Sequence, residues 1–131
     1  MKKQVNDWLL LAEKDIKVAS LIIEQQELTS SVAFHCQQSI EKYFKAFLLE
    51  NDKLLLKVHD LLKLYGIIKE IKDLEIDEDV LSIINETYIE SRYPGELGLL
   101  SDGMPSIEQV KMFLEFAKEI ERKIKNAVNN N

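Results

Sequence analysis

Apolar residues recur every three or four positions along most of this chain, which is the spacing of one face of an α-helix. The first stripe predicts a helix over roughly residues 4–25, with the apolar positions Val5, Trp8, Leu9, Ala12, Ile16, Ala19 and Ile23. A second stripe predicts a helix over about residues 32–50, with the apolar positions Cys36, Ile40, Tyr43, Phe44, Phe47 and Leu48. We expect its N-cap among Thr29, Ser30 and Ser31.

Two shorter helices are predicted in the middle of the chain. The third begins near His59 and Asp60, and Gly66 could shorten or bend it because glycine is a poor helix former. The fourth begins after Asp77, whose carboxylate is a good N-cap. It ends before Pro94, because the residue that precedes a proline is disfavoured in the α conformation.

A loop and a final long helix complete the pattern. Residues 94–105 hold three of the four glycines and both prolines, so we expect a loop there. Ser106 and Gln109 have the spacing of a capping box, which predicts the start of the last helix. The fold class is therefore all-α: an antiparallel up-and-down bundle of four to five helices with a long loop before the last helix. Residues 1–128 form a single domain, and residues 129–131 should fray.

The first helix carries more apolar residues than one inward face requires. The additional positions widen its stripe, and they are Leu10, Leu11, Val18, Leu21 and Ile22. An apolar second face must be covered, so one interpretation is a homodimer. The alternative is a central helix that is buried by its neighbours in the same chain.

Composition and charge restrict the function. The chain has 131 residues, a net charge of -6 and a sequence pI near 5.0, so we expect no strong binding to nucleic acid. A single cysteine rules out a disulfide within the chain, and no apolar stretch is long enough to cross a bilayer, so we expect a cytoplasmic protein without a membrane association. A small anionic ligand remains compatible with the lysines of the middle third, which are Lys42, Lys45, Lys53, Lys57 and Lys63.

Polar residues lie on a stripe of the otherwise apolar second helix and predict a site. Gln38, Glu41 and Lys45 share this stripe, and later segments offer partners for them. The candidate ligand-binding residues are Gln38, Glu41, Lys45, His59, Tyr88, Arg92 and Tyr93. They could form a cleft for a nucleotide, or a buried polar network that fixes helix register, and a salt bridge between Arg92 and Glu41 is one such arrangement. No pair of cysteines or histidines has ligand spacing, so we expect neither a metal nor a cofactor.

Several of these motifs together resemble the HEPN domain family. They are Trp8 with Ala12 and Asp15, Phe34-His35-Cys36-Gln37-Gln38 leading to Glu41-Lys42 and Lys45-Ala46, His59-Asp60-Leu61, and Tyr88 through Arg92-Tyr93-Pro94. The resemblance covers nearly the whole chain. It implies a helical bundle, a homodimer, binding of a nucleotide, and a gene beside that of a minimal nucleotidyltransferase with which the protein works.

Many relatives in that family are ribonuclease toxins, and they need an arginine followed by a histidine after four to six intervening residues. Here those positions hold Leu97, Gly98 and Leu99 after Arg92, and Ala127, Val128 and Asn129 after Arg122. We therefore expect a non-catalytic protein that binds a nucleotide, supports a nucleotidyltransferase partner, or does both. The alternatives are a ribonuclease toxin with a differently assembled site, and a structural module that only binds other proteins.

Overall fold

The computed structural model describes residues 2–92 and 104–129, and these residues form helices without any strand. The helices are α1 (Lys3–Ile22), α2 (Thr29–Glu50), α3 (Leu61–Ile71), α4 (Glu78–Arg92) and α5 (Ile107–Asn129), with one turn of 3-10 helix (Gln26–Leu28) before α2. The prediction of an all-α bundle is confirmed. The predicted loop at 94–105 falls almost entirely outside the described residues.

The second helix is the centre of the bundle. Among the helices that the structure describes, it packs against the four others, whereas α1 packs mainly on α2 and also touches α5. Three of the five largest fully buried side chains, Tyr43, Phe44 and Phe47, come from α2. Phe44 also stacks on Tyr65 of α3, with 5.9 Å between the ring centroids. The apolar stripe of α2 therefore organises the fold.

Three helix starts lie where the sequence predicts them. Oδ1 of Asp60 accepts hydrogen bonds from the backbone N–H groups of Leu62 and Lys63, and the carboxylate of Asp77 caps α4 in the same way. The hydroxyl of Ser106 accepts from the backbone N–H of Gln109, at 3.1 Å. Each cap satisfies N–H groups that have no partner within their own helix. Asp60, and not the neighbouring His59, is thus the residue that caps α3.

The predicted start of α2 is wrong. Thr29 is already helical and buried, because the 3-10 turn leads directly into α2. Leu28 stands in the N-cap position, and its side chain makes no capping hydrogen bond. The first helix ends at Ile22, three residues before the predicted end, whereas α3 continues through Gly66. The last helix includes Asn129, the first residue of the segment expected to fray, and residues 130–131 lie outside the described part.

The outer face of α1 is not covered by the other described residues, 2–92 and 104–129. Leu10 and Leu11 are 48% and 45% exposed, Val18 is 37% exposed and Leu21 is 73% exposed, while Ile22 is half-buried. The interpretation of α1 as a central helix is wrong, because α2 takes that place. Within residues 2–92 and 104–129, no helix has both the length and the apolar character needed to cross a membrane.

Candidate functional site

The carboxylate of Glu41 is the centre of a buried polar network on α2. Its Oε2 lies 2.9 Å from Nζ of Lys45 and 3.0 Å from Nδ1 of His59, and its Oε1 accepts from the Gln37 amide at 3.3 Å. Glu41 and Lys45 are only 7% and 6% exposed. Two charges taken out of water are tolerated when they are paired and hydrogen-bonded, and both conditions hold here.

The same network ties α2 to the segment that connects it with α3. Nζ of Lys45 also donates to the carbonyl of Leu56, at 3.2 Å, and lies 5.8 Å from the centroid of the Trp8 ring. The amide of Gln37 donates to the carbonyl of His59, at 3.4 Å. These bonds satisfy two carbonyl groups of an irregular segment, so the network holds that segment against the bundle.

The structure brings four of the predicted site residues together. Gln38 joins the network through Gln37, since its Nε2 donates to Oε1 of Gln37 at 2.7 Å. Gln38, Glu41, Lys45 and His59 are therefore neighbours, and the His59 side chain, 68% exposed, is more exposed than the other three. Gln37 itself was missed, although its position next to Gln38 was visible in the sequence.

Of the remaining predicted residues, Tyr88 contacts Phe34, and the other two fall outside the description. The ring of Tyr88 stacks on Phe34, with 5.7 Å between centroids and 28° between ring planes. The side chain of Arg92 and all of Tyr93 fall outside the described residues, so the predicted salt bridge between Arg92 and Glu41 falls there too. The cleft that would join all seven residues therefore stays a prediction.

A second polar cluster, which the sequence analysis did not assemble, lies between α1 and α2. The Asp15 carboxylate is 7% exposed, and its two oxygens lie 2.8 Å from Nδ1 of His35 and 2.6 Å from Nζ of Lys42. The ring of His35 meets Phe34 edge to face, with 5.1 Å between centroids. The one visible signal was a carboxylate among the apolar positions of α1. The cluster joins a histidine and a lysine through one carboxylate, and the histidine also contacts the exposed ring of Phe34.

A third set of contacts attaches α5 to the bundle. The hydroxyl of Tyr43 donates to the carboxylate of Glu121, and Lys125 bridges Glu121 and Glu13 at 3.5 Å and 2.6 Å. Burial, and then the bond to Glu121, raise the pKa of the Tyr43 phenol well above its usual value. Tyr43 therefore stays protonated and acts as a donor that links α2 to α5.

The single cysteine, Cys36, lies in an environment that does not activate its thiol. Burial, and secondarily the charge of Asp15, raise the pKa of the Cys36 thiol to about 12. A thiol with that pKa is protonated at neutral pH and is a poor nucleophile. Across the residues that the structure describes, no three His, Cys, Asp or Glu side chains are placed to hold a metal ion.

The chain is thus a small all-α domain in which the helices pack around α2, with polar clusters between α2 and its neighbours. The family model of the HEPN domain matches residues 5–127, so this chain belongs to the HEPN domain family. Its fold is similar to that of the protein TT1696 from Thermus thermophilus, with a TM-score of 0.76 and 20% sequence identity over 96% of this chain and 99% of that one. This likeness concerns the fold alone. Among curated protein sequences, none matches.

Proposed function

We propose that this HEPN-domain protein acts by binding and not by catalysis. It forms a homodimer through α1, and in the cytoplasm it serves as the accessory partner of a minimal nucleotidyltransferase. The observation that carries the proposal is the uncovered face of α1, where Leu10, Leu11, Val18 and Leu21 are all more than a third exposed. Exposed apolar residues that are concentrated on one side of a helix are typical of an interface.

A groove beside this face supports the same role. It has a volume of about 250 Å³, and most of its lining residues are apolar, among them Trp8, Leu11 and Leu49. Its polar lining residues are Gln4 and Asp7 of α1. Leu54 and Leu56, which also line it, are 60% and 54% exposed. Leu11 belongs to both surfaces, so the groove and the α1 face are continuous. Together they offer a second copy of the chain an apolar surface with a recess at one end.

The absence of the toxin motif supports a non-catalytic role. Neither arginine is followed by a histidine at the spacing that the ribonuclease toxins need. The buried pair of Glu41 and Lys45 is fully engaged with Gln37, His59 and a backbone carbonyl, so we assign it to holding the connection between α2 and α3.

A nucleotide is the second part of the proposal. The observation that favours it is the exposed aromatic surface of Phe34, which stacks on Tyr88 and contacts His35. His35 shares the carboxylate of Asp15 with Lys42, which keeps part of its side chain in solvent. Aromatic faces stack on bases and lysines bind phosphates, so this surface has the chemistry that a nucleotide requires.

Chemical cross-linking tests the placement of the dimer interface. A Lys17→Cys variant puts one accessible thiol on the proposed face, since Lys17 is exposed and the native Cys36 is buried. A short bismaleimide should convert it into a covalent dimer. The matched control is Met112→Cys, 45% exposed on α5, which should stay at the mass of one chain. Equal cross-linking of the two variants would contradict the placement.

The accessory role has its own test. The product of a neighbouring nucleotidyltransferase gene, expressed together with this chain, should co-purify with it in a fixed ratio. Separate elution of the two proteins at micromolar concentration would contradict the accessory role and leave the homodimer untouched.

A further inference from the structure

We infer that the groove lined by Trp8, Leu11, Leu54 and Leu56 is the docking site of a partner protein, which places an acidic amphipathic helix there. The inference rests on the proposed function, in which a second protein works with this chain, and it adds the chemistry by which that protein is recognised. The α1 face takes the second copy of the chain, and the groove at its end takes the partner.

The groove has the size and the lining of a recess for apolar side chains. Its volume of about 250 Å³ lies below the roughly 300–1,000 Å³ that is usual for a small-molecule site. Leu54 and Leu56 are both more than half exposed, which is typical of residues that a partner covers. A helix that carries large apolar side chains on one face fills a recess of this kind.

The walls of the groove are held in place before a partner binds. Nζ of the buried Lys45 donates to the carbonyl of Leu56 at 3.2 Å and lies 5.8 Å from the centroid of the Trp8 ring. Leu49, which also lines the groove, accepts through its carbonyl from Nζ of Lys2, at 3.1 Å. Walls that are already fixed lose little freedom when a partner binds, and this favours affinity.

The two segments that carry the groove have a surplus of positive charge. Across residues 2–18 and 49–58, four carboxylates are paired with lysines, and they are Asp7, Glu13, Asp15 and Asp52. Among the described residues, Glu50 is the one carboxylate of these segments without an ion pair, whereas four lysines have none: Lys14, Lys17, Lys53 and Lys57. Four lysines against one carboxylate leave three positive charges, although the whole chain has a net charge of -6.

These lysines stand next to the apolar lining in the sequence. Lys53 precedes Leu54 and Lys57 follows Leu56, while Lys14 lies one helical turn beyond Leu11, and all three lysines are exposed. Opposite charge at the rim of an interface steers the partner and excludes wrong ones, so this rim selects carboxylates around the apolar side chains.

A second copy of the chain does not supply those carboxylates from α1. A two-fold contact uses the same surface on both copies, so it brings Lys14 and Lys17 of one α1 toward the same residues of the other. The occupant that matches both the recess and its charge is therefore an acidic segment of a different protein.

The fluorescence of Trp8, the only tryptophan of the chain, reports directly on the groove. The probes are two synthetic helical peptides without aromatic residues. One has leucines on one face and glutamates on the other, and in the second peptide lysines replace the glutamates. The acidic peptide should shift the Trp8 emission to shorter wavelengths in a saturable way, and the basic peptide should not. High salt should weaken the acidic complex, because it screens exposed charges.

Groove variants with matched controls localise the contact. Leu54→Ser should lose roughly tenfold or more in affinity for the acidic peptide, because it removes an apolar wall, while Met112→Ser on α5 should bind as the wild type does. The double variant Lys53→Gln/Lys57→Gln should bind several-fold more weakly. Lys111→Gln/Lys118→Gln, which removes the same charge from α5, should bind as the wild type does. Melting temperatures verify that each variant folds.

The failures of this inference and of the proposed function are distinguishable. Equal binding of the two peptides, binding of neither, or an unchanged affinity in Leu54→Ser would overturn the docking site. A Leu54→Ser variant with the mass of one chain would also overturn it, because the occupant of the groove would then be the second copy. The expected peptide binding without co-purification of a nucleotidyltransferase would remove the accessory role and keep the docking site.

Discussion

Glu41 and Lys45 form a salt bridge of 2.9 Å, one helical turn apart, in which both side chains are less than a tenth exposed. A pair at this spacing on a helix surface contributes only a few tenths of a kcal/mol. This pair is inside the protein instead, so removing one partner leaves a charge that water cannot reach.

Substitution of Lys45 by methionine should therefore destabilise the protein strongly. We expect Lys45→Met to lower the free energy of unfolding by about 3 kcal/mol, because Glu41 keeps its charge in a buried position. A Glu41→Gln/Lys45→Met double variant should recover part of this loss. Urea denaturation measures both.

The matched control is Lys111→Met, which breaks an exposed salt bridge with Glu24. It should change stability by less than about 1 kcal/mol. If Lys45→Met were no more destabilising than Lys111→Met, the network around Glu41 would not hold the α2–α3 connection as described.

High pH should destabilise the protein through Tyr43. Burial, and then the bond to Glu121, raise the pKa of this phenol above the 10.0 of an exposed tyrosine. Above pH 10 the unfolded chain releases the phenolic proton while the folded chain retains it, so stability is complete below pH 10 and falls as pH rises. At pH 8 the free energy of unfolding of Tyr43→Phe should be lower than that of the wild type by about 1 kcal/mol, because the hydrogen bond to Glu121 is lost.

Urea denaturation at pH 8 and at pH 10.5 compares the two proteins. Tyr43→Phe should lose less stability between these pH values than the wild type. An identical loss in both proteins would show that the phenol of Tyr43 titrates normally in the folded state.

The Cys36 thiol should be inert in the folded protein. Its side chain is fully buried, and burial raises the pKa of the thiol to about 12. A disulfide reagent at pH 8 should therefore react slowly in buffer and at once in denaturing urea, with absorbance as the readout. Immediate reaction of one thiol per chain in buffer would mean that the core around Cys36 opens readily.

Ribonuclease activity is not expected. His35 and His59 each contact a carboxylate through Nδ1, but neither histidine follows an arginine at the toxin spacing. Labelled single-stranded RNA and transfer RNA should stay intact after incubation with the purified protein. Cleavage that disappears in His35→Ala or His59→Ala would reveal a differently assembled active site.

Features that depend on residues close together in the sequence, such as helix caps, were predictable. Contacts between residues far apart in the sequence were less so. The caps at Asp60, Asp77 and Ser106 were predictable because each satisfies N–H groups two or three residues away. The start of α2 at Thr29 was not predictable from a capping residue, because a 3-10 turn leads directly into α2 and no side chain caps it.

The candidate site shows the same limit. Gln38, Glu41 and Lys45 meet because they share one helix face, a pattern that periodicity reveals. The cluster of Asp15 with His35 and Lys42 joins residues 20 and 27 positions apart, and it depends on the register between α1 and α2. A single sequence carries no direct signal for that register, so the periodicity could not select Asp15 as their partner.

The mass of the protein in solution tests the central claim most directly. Light scattering across a range of micromolar concentrations should give twice the chain mass of 15.2 kDa for the wild type and for Met112→Glu. Leu21→Glu, at the most exposed apolar position of α1, should give the mass of one chain and unfold at the same temperature as the wild type. A wild type that stays at 15.2 kDa throughout, or a Leu21→Glu variant that stays dimeric, would contradict an interface on α1.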